Sequence, residues 1–197
     1  MADTLTLRSP LQSWEARFTA LPASTTISEE PFVAMVDLWV DPSGPGGDAA
    51  ADSLGVAALP TTPSTAVAGS DTMLIWFGPQ EWLVTSRDRT GEALEAQLRE
   101  AITEHGGAAV DVSAQRTTVR LRGAHARDVL AKGCSLDLHP TVFGPGAAAQ
   151  TILGLAAVVL IPLSDNGTDY RILVRASFAG YLAAWLLDAA EEFGVDW

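Results

Sequence analysis

Apolar and polar side chains alternate with a period of two over several short stretches of this chain, and this pattern predicts strands. A segment at 78–81 separates two such stretches, and its Pro79 favours a tight turn between two hairpin strands. An Asp-Asn-Gly turn at 165–167 joins the last two stretches in the same way. The predicted strands cover residues 32–40, 73–77, 82–86, 109–112, 117–121, part of 151–160, and 170–175.

A period close to 3.6 residues predicts three helices. Thr90 can cap the first helix, which ends before Gly106. A short second helix covers residues 124–132. The third helix follows Ser177, a suitable N-cap residue, and ends at Gly194. Its apolar positions are Phe178, Tyr181, Leu182, Trp185, Leu186, Ala189 and Phe193.

Two segments lack a periodic pattern, and they set the predicted domain organisation. Residues 1–31 are polar and aperiodic, which predicts an N-terminal arm. Residues 41–70 consist mainly of Ala, Gly, Pro, Ser and Thr, which predicts a long flexible loop. We therefore expect residues 32–197 to form a single α+β domain, with a mostly antiparallel sheet and helices packed on one face.

The charge balance argues against two classes of partner. The 197-residue chain has 24 acidic residues and 12 basic residues, which gives a formal net charge of −12 at pH 7. Nucleic acids and anionic membranes both attract cationic protein surfaces, and no segment concentrates positive charge. The most apolar stretch, residues 152–163, is shorter than the ~20 residues that a membrane-spanning helix needs. We therefore expect neither a nucleic acid nor a membrane as partner.

Cysteine usage and the first residues predict the compartment. Cys134 is the only cysteine, so the chain cannot form an internal disulfide, which fits a reducing environment. Residues 1–14 lack the apolar core of a signal peptide. A cytoplasmic location is therefore expected.

No motif in the sequence predicts a catalytic, metal or cofactor-binding residue. None of His105, His125 and His139 belongs to a metal-binding pattern. A nucleophile pair of Cys134 and His139 would lack the third group that orients the base. The sequence has no GxSxG motif, and the glycines at 44–47 lack the predicted strand-to-helix setting of a phosphate loop.

Two pairs of residues leave alternatives open. Asp111 and Ser113 follow a predicted strand, where they either cap a turn or face a small-molecule pocket. Trp14 and Trp197 lie in terminal segments, where they either contact a partner or fold back onto their own domain.

An ordered set of motifs resembles one protein family, although no single motif is specific. Taken together over nearly the whole chain except 41–52, they resemble the gamma subunit of heterotetrameric sarcosine oxidase. The motifs are Arg8-Ser9-Pro10-Leu11 with Trp14; Gly78-Pro79-Gln80-Glu81-Trp82-Leu83; Asp111-Val112-Ser113-Ala114-Gln115-Arg116; Gly133-Cys134-Ser135-Leu136-Asp137-Leu138-His139-Pro140 with Phe143 and Gly146; Ala149-Gln150-Thr151; and Ser177-Phe178 with Tyr181, Leu182, Trp185 and Leu186.

The resemblance implies a fold and a role. The fold would resemble the folate-binding domain of aminomethyltransferases. The complex would oxidise sarcosine with oxygen to glycine and hydrogen peroxide, releasing the methyl carbon as formaldehyde or as methylenetetrahydrofolate. The resemblance places FAD, FMN and NAD in the alpha and beta subunits and no cofactor in this chain, whose main contact would be the alpha subunit.

Two functional hypotheses follow. In the first, the chain is a non-catalytic structural subunit that supports assembly with the alpha subunit. The candidate partner contacts are Arg8, Trp14, Leu138, His139, Pro140, Phe143 and Trp197. In the second, the chain is a freestanding folate-binding protein of one-carbon transfer. Asp111 and Ser113 would then face the ligand, and the nearest cations would be Arg116, Arg120 and Arg122.

Overall fold

A computed structural model describes residues 6–194, and the strands in this part of the chain form two antiparallel sheets. In sheet 1 the order is β1 (Thr26–Glu30), β7 (Arg116–Arg122), β10 (Asp169–Arg175), β9 (Ala156–Pro162) and β8 (Ala149–Leu153). In sheet 2 the order is β3 (Ala66–Ala68), β4 (Thr72–Gly78), β5 (Glu81–Ser86), β2 (Ala34–Trp39) and β6 (Ala108–Asp111).

Five α-helices lie in the described residues. They are α1 (Glu15–Thr19), α2 (Pro45–Leu54), α3 (Gly91–Ile102), α4 (Ala126–Ala131) and α5 (Ala179–Ala190). Short 3₁₀ turns occupy Gln12–Trp14, Ser113–Gln115, Ala176–Phe178 and Glu191–Phe193. Within residues 6–194, none of the helices has the length and apolar character needed to cross a bilayer.

Three apolar clusters hold the sheets and helices together. One lies between sheet 1 and helices α4 and α5, and it includes Leu121 and Leu186. A second lies between sheet 2 and helices α2 and α3, and includes Leu98. The third joins the sheets, with Met35 from sheet 2 and Leu173 from sheet 1. The molecule therefore has four successive layers: helices α4 and α5, sheet 1, sheet 2, and helices α2 and α3.

The structure confirms the predicted α+β class and the antiparallel pairing. Each sheet carries its helices on one face, but the strands divide between two sheets where the sequence predicted one. Alternation along a strand determines which side chains share a face, whereas it does not determine which strands become neighbours.

The prediction of an N-terminal arm over residues 1–31 is wrong for its described part. Strand β1 pairs along its whole length with β7, and Leu11 and Phe18 are buried in the cluster of sheet 1. Hydrophobic alternation did not predict strand β1, because its only apolar residue is Ile27 and its last two residues are glutamates. Side chains distant in sequence bind both carboxylates, which allows an acidic strand to be half buried.

The predicted loop over residues 41–70 contains a ten-residue helix, α2, and the short strand β3. Helix α2 begins at Pro45, a favourable first residue because its missing N–H is not needed there. The helix packs closely on its own chain, since a Cβ placed on Gly47 would lie 2.7 Å from the carbonyl oxygen of Asp41. The small residues that suggested a loop are therefore those that allow this close approach.

Two predicted boundaries also differ from the structure. The strand expected within 151–160 divides into β8 and β9, with Gly154 in the turn between them. Ser177 is not the N-cap of the last helix, because Phe178 occupies that position and makes no side-chain capping bond.

Candidate functional site

The predicted partner contacts lie in different environments. Leu138 and Phe143 are 5% and 7% exposed and pack into the chain's own core, so they offer little surface to a partner. Arg8 and His139 are exposed, and Pro140 is half buried. Trp197 lies outside the described residues. Partner contact by these residues stays a prediction.

Trp14 borders an exposed group of aromatic and apolar residues. Its ring lies below the Arg17 guanidinium, 4.7 Å from the ring centroid, and next to Gly180 at the start of α5. Phe178 and Tyr181, which are close to Gly180 in sequence, form an edge-to-face pair with ring centroids 6.2 Å apart. The backbone N–H of Leu155 donates a hydrogen bond to the Tyr181 hydroxyl at 3.0 Å. We call Trp14, Leu155, Phe178 and Tyr181 the aromatic surface.

The sequence pattern did not predict that three of these four residues lie on the surface. Phe178 and Tyr181 are 45% and 36% exposed, and Leu155 is 77% exposed. The helical period placed Phe178 and Tyr181 in an apolar stripe, but the core accepts only the Leu182, Ala183 and Leu186 side of α5. Exposed apolar residues that adjoin one another are typical of a protein–protein contact.

The most highly connected charged group lies around Glu30. Arg171 Nε donates to Glu30 Oε2 at 2.6 Å, and Arg120 Nη1 donates to Glu30 Oε1 at 3.3 Å. Arg87, which follows β5 of sheet 2, lies 3.6 Å from the same carboxylate. Asp169 binds Arg120 through two hydrogen bonds of 2.5 and 2.6 Å. The group therefore joins three neighbouring strands of sheet 1, and Arg87 adds an exposed contact from the end of β5.

Burial raises the pKa of Glu30, but hydrogen bonding and charge interaction with Arg171, together with the charges of Arg87 and Arg120, outweigh it. The net result is a pKa below the ordinary value of 4.5. This group stabilises the fold through its charged form.

We expect acid to remove this stabilisation. Because the pKa of Glu30 is lower in the folded chain than in the unfolded chain, its contribution is complete above about pH 4.5 and is lost as the pH falls through the folded-state pKa. Urea unfolding between about pH 5 and pH 3 should show a steeper loss of stability for the wild type than for Glu30→Gln. Equal slopes would contradict the prediction.

Asp111 and Ser113 form a closed turn. The backbone N–H and the hydroxyl of Ser113 both donate to Asp111 Oδ1, at 2.8 and 2.5 Å. The Ser113 hydroxyl also accepts from the backbone N–H of Met35 at 2.9 Å. Of the two alternatives, these contacts favour the turn-capping role.

Two of the histidines contact neighbouring side chains, and neither contact involves the cysteine. His139 Nδ1 lies 2.7 Å from Thr141 Oγ1, and His125 stacks on Phe193 with ring centroids 4.4 Å apart. Cys134 is half buried and makes no side-chain hydrogen bond to His139 in the described part of the chain. Residues 6–194 hold no group of three or more His, Cys, Asp or Glu side chains that could bind a metal ion.

The glycines at 44–47 do lie at a strand-to-helix junction, contrary to the sequence prediction. Strand β2 precedes them, Gly44 is the N-cap of α2, and Gly46 and Gly47 lie in its first turn. Phosphate loops of this kind bind their ligand through free backbone N–H groups at the helix start. Here the chain's own backbone fills the space next to Gly47, and Asp41 and Asp48 place negative charge at the same helix end. These residues do not fit a phosphate.

Comparison with known proteins assigns the family. The family model described as "Sarcosine oxidase, gamma subunit family" matches residues 41–192. The chain belongs to the sarcosine oxidase gamma subunit family. It is 34% identical to sarcosine oxidase subunit gamma of Corynebacterium sp. strain U-96 over 179 residues, which cover 91% of this chain and 85% of that protein. It is 35% identical to the corresponding subunit of strain P-1 over 195 residues, which cover 97% and 93%.

Solved structures agree with the family assignment. A chain of the heterotetrameric sarcosine oxidase from Corynebacterium sp. U-96, in complex with pyrrole 2-carboxylate, superposes with a TM-score of 0.87 and 34% identity, covering 97% of this chain and 98% of that one. The glycine cleavage system aminomethyltransferase T from Bartonella henselae has a TM-score of 0.62 at 13% identity, covering 88% of this chain and 48% of that one. The second likeness confirms the expected fold of this family member.

Proposed function

We propose that this chain is the gamma subunit of a heterotetrameric, flavin-dependent sarcosine oxidase and has a structural, non-catalytic role. The observation that carries the proposal is the full-length likeness, with a TM-score of 0.87, to a chain of a heterotetrameric sarcosine oxidase. The proposed complex oxidises sarcosine with oxygen to glycine, hydrogen peroxide, and formaldehyde or methylenetetrahydrofolate. Its FAD, FMN and NAD are bound by the alpha and beta subunits.

The role proposed for this chain is assembly, mainly with the alpha subunit. The aromatic surface supports this role, because Leu155 and Phe178 are large side chains that remain 77% and 45% exposed in the isolated chain. Aromatic side chains supply much of the binding free energy of protein interfaces. Of the residues predicted from sequence, Trp14 is the one that lies on this surface.

A tagged pull-down at native expression level tests the proposal. The eluate is separated by size exclusion while absorbance is read at flavin wavelengths. We expect this chain to elute with two larger subunits that carry flavin. A colourless peak at the mass of the free chain, 20.7 kDa, would contradict the proposal.

The folate hypothesis has less support from the site. Two of its three candidate cations, Arg120 and Arg122, lie beside Asp169, and Arg120 is also bound to Glu30. The likeness to aminomethyltransferase T concerns the fold alone. Calorimetry of the free chain with tetrahydrofolate distinguishes the hypotheses, since only a folate-binding chain would give saturable heat.

Trp14→Ala is expected to weaken assembly by about 2 kcal/mol, or roughly 30-fold in Kd, because truncating a central interface aromatic has an effect of this size. The affinity of the purified variant for the remaining subunits measures it. Leu7→Ala is the control, because Leu7 is a large apolar residue near the same end of the chain that is 74% exposed and is not part of the aromatic surface. Equal affinities of wild type and Trp14→Ala would remove Trp14 from the interface.

A further inference from the structure

Two arginines on neighbouring strands of sheet 1 bind a carboxylate between them. Arg120 of β7 and Arg171 of β10 are directly opposite in the strand register. Like charges in this arrangement repel each other. The Glu30 carboxylate removes the repulsion because both guanidinium groups donate to it, at 3.3 Å from Arg120 and at 2.6 and 3.2 Å from Arg171. The chain thus contains its own example of a carboxylate bound by an opposed arginine pair.

A second opposed pair lies four residues further along the same strands. Arg116 and Arg175 are register partners, and the even spacing places them on the same face of sheet 1 as Arg120 and Arg171. Within residues 6–194, no carboxylate oxygen lies within 4.0 Å of either guanidinium group of this second pair. The second pair therefore has the geometry of the first without its acidic partner.

The two arginines of the second pair differ in their surroundings. Arg116 donates to the side chain of Gln115 and lies over the Phe77 ring, 5.5 Å from its centroid. Burial lowers the pKa of Arg116, and the charge of Arg175 lowers it further, while the longer-range charges of Asp37 and Glu81 raise it. Arg175 is exposed and makes no side-chain hydrogen bond in the described residues.

Arg116 and Arg175 both line a groove with space for a ligand. The groove has a volume of about 340 Å³, and its other walls include Gln150, Ile152 and Leu173. Gln150 is held in place because its amide Nε2 donates to the Phe77 carbonyl oxygen at 3.2 Å. Apolar walls next to two cations favour a carboxylate on a short apolar stem, since a lower local dielectric strengthens the ion pairs.

We infer that Arg116 and Arg175 form a binding site for a carboxylate group from outside the chain, held between the two guanidinium groups as Glu30 is held between Arg120 and Arg171. Two sources have this chemistry. One is an Asp or Glu side chain of a partner subunit, and this source rests on the proposed function. The other is a small organic carboxylate, which would bind the chain by itself.

The first arm of the test uses the full free chain labelled with ¹⁵N-arginine. Butyrate is added, and the Nε–Hε resonances are followed against sodium chloride at equal ionic strength. For a small carboxylate we expect saturable shifts at Arg116 and Arg175 and none at Arg99, an exposed arginine on α3. Arg175→Gln should abolish the saturable shift at Arg116. It should remain folded and not melt earlier than wild type, because it removes a repulsion.

The second arm measures the affinity of the chain for its purified partner subunits. For a partner carboxylate we expect Arg175→Gln to raise Kd at least tenfold, whereas the control Arg99→Gln changes it less than twofold. A change in this arm alone identifies the partner side chain, and saturation in the first arm alone identifies a small carboxylate. The inference is overturned if neither arm responds. If the wild type binds no partner, the proposed function fails, and the butyrate titration alone decides the inference.

Discussion

Glu30→Gln is expected to lower the free energy of unfolding by about 2–4 kcal/mol, because it removes the negative charge from a nearly buried ion-pair group. The Glu30 side chain is 8% exposed, and those of Arg120 and Arg171 are 16% and 14% exposed. Glutamine keeps the shape of the side chain but leaves the two opposed guanidinium groups with less compensating charge. Asp169 still neutralises Arg120, so the expected loss is smaller than for a fully buried pair without a second acidic partner.

Urea unfolding at neutral pH measures this effect, and two further sets of variants control for it. Glu95→Gln makes the same chemical change in the i,i+4 pair with Arg99, where we expect less than about 0.5 kcal/mol. A double-mutant cycle of Glu30→Gln and Arg171→Gln should give a coupling of at least about 1 kcal/mol. If Glu30→Gln were as stable as Glu95→Gln, the charged group around Glu30 would contribute nothing to the free energy of unfolding.

Gly123→Ala is expected to destabilise the chain by about 3 kcal/mol or more. Gly123 has φ +121°, where an L side chain is strained. A Cβ at this position would overlap the carbonyl oxygen of Ser24, which is backbone and cannot rotate away. The glycine itself is fixed, since its N–H donates to the Thr168 carbonyl oxygen at 2.9 Å. Steric overlap therefore adds to the backbone strain.

Gly146→Ala separates these two contributions. Gly146 also has a positive φ, +93°, but a Cβ there would meet nothing within 4 Å. We expect this control to cost only the strain, about 1–2 kcal/mol. Thermal unfolding of both variants gives the comparison. Equal losses of stability in the two variants would mean that overlap with the Ser24 carbonyl oxygen adds nothing to the backbone strain at Gly123.

Periodic patterns predicted the regular elements that bury one complete face. Thr90 caps α3 as expected, since its hydroxyl accepts from Ala93 N–H at 3.2 Å, and Leu94, Leu98 and Ile102 are buried. The hairpin of β4 and β5 forms around Pro79. These predictions succeeded because both the period and the end signals lie within a few consecutive residues.

Elements that depend on distant partners escaped the sequence analysis. Strand β1 has two adjacent glutamates that are acceptable in a sheet only because Thr117 and Arg171 bind them. Helix α2 has few large apolar residues, and its small residues pack because sheet 2 and α3 lie next to them. In both segments the stabilising contacts come from residues that lie outside the segment.

The family could be recognised from motifs spread along the sequence, and the family model and the relatives confirm it. The candidate site could be recognised only in part. Trp14 was singled out, whereas Leu155 and Phe178 became surface candidates only once the helix and hairpin were placed side by side. Of the opposed pair in sheet 1, Arg116 was predicted only as a candidate cation of the folate hypothesis, and Arg175 was not predicted.

The sequence by itself determined the α+β class, the antiparallel strands, the acidic character and the family of this chain. Each of these depends on local periodicity, on summed composition or on the order of motifs. The tertiary structure decided the division into two sheets, the incorporation of the N-terminal segment and the pairing of arginines across β7 and β10. These features depend on register and on contacts between residues more than 50 positions apart, and hydrophobic patterning along a single chain does not specify either.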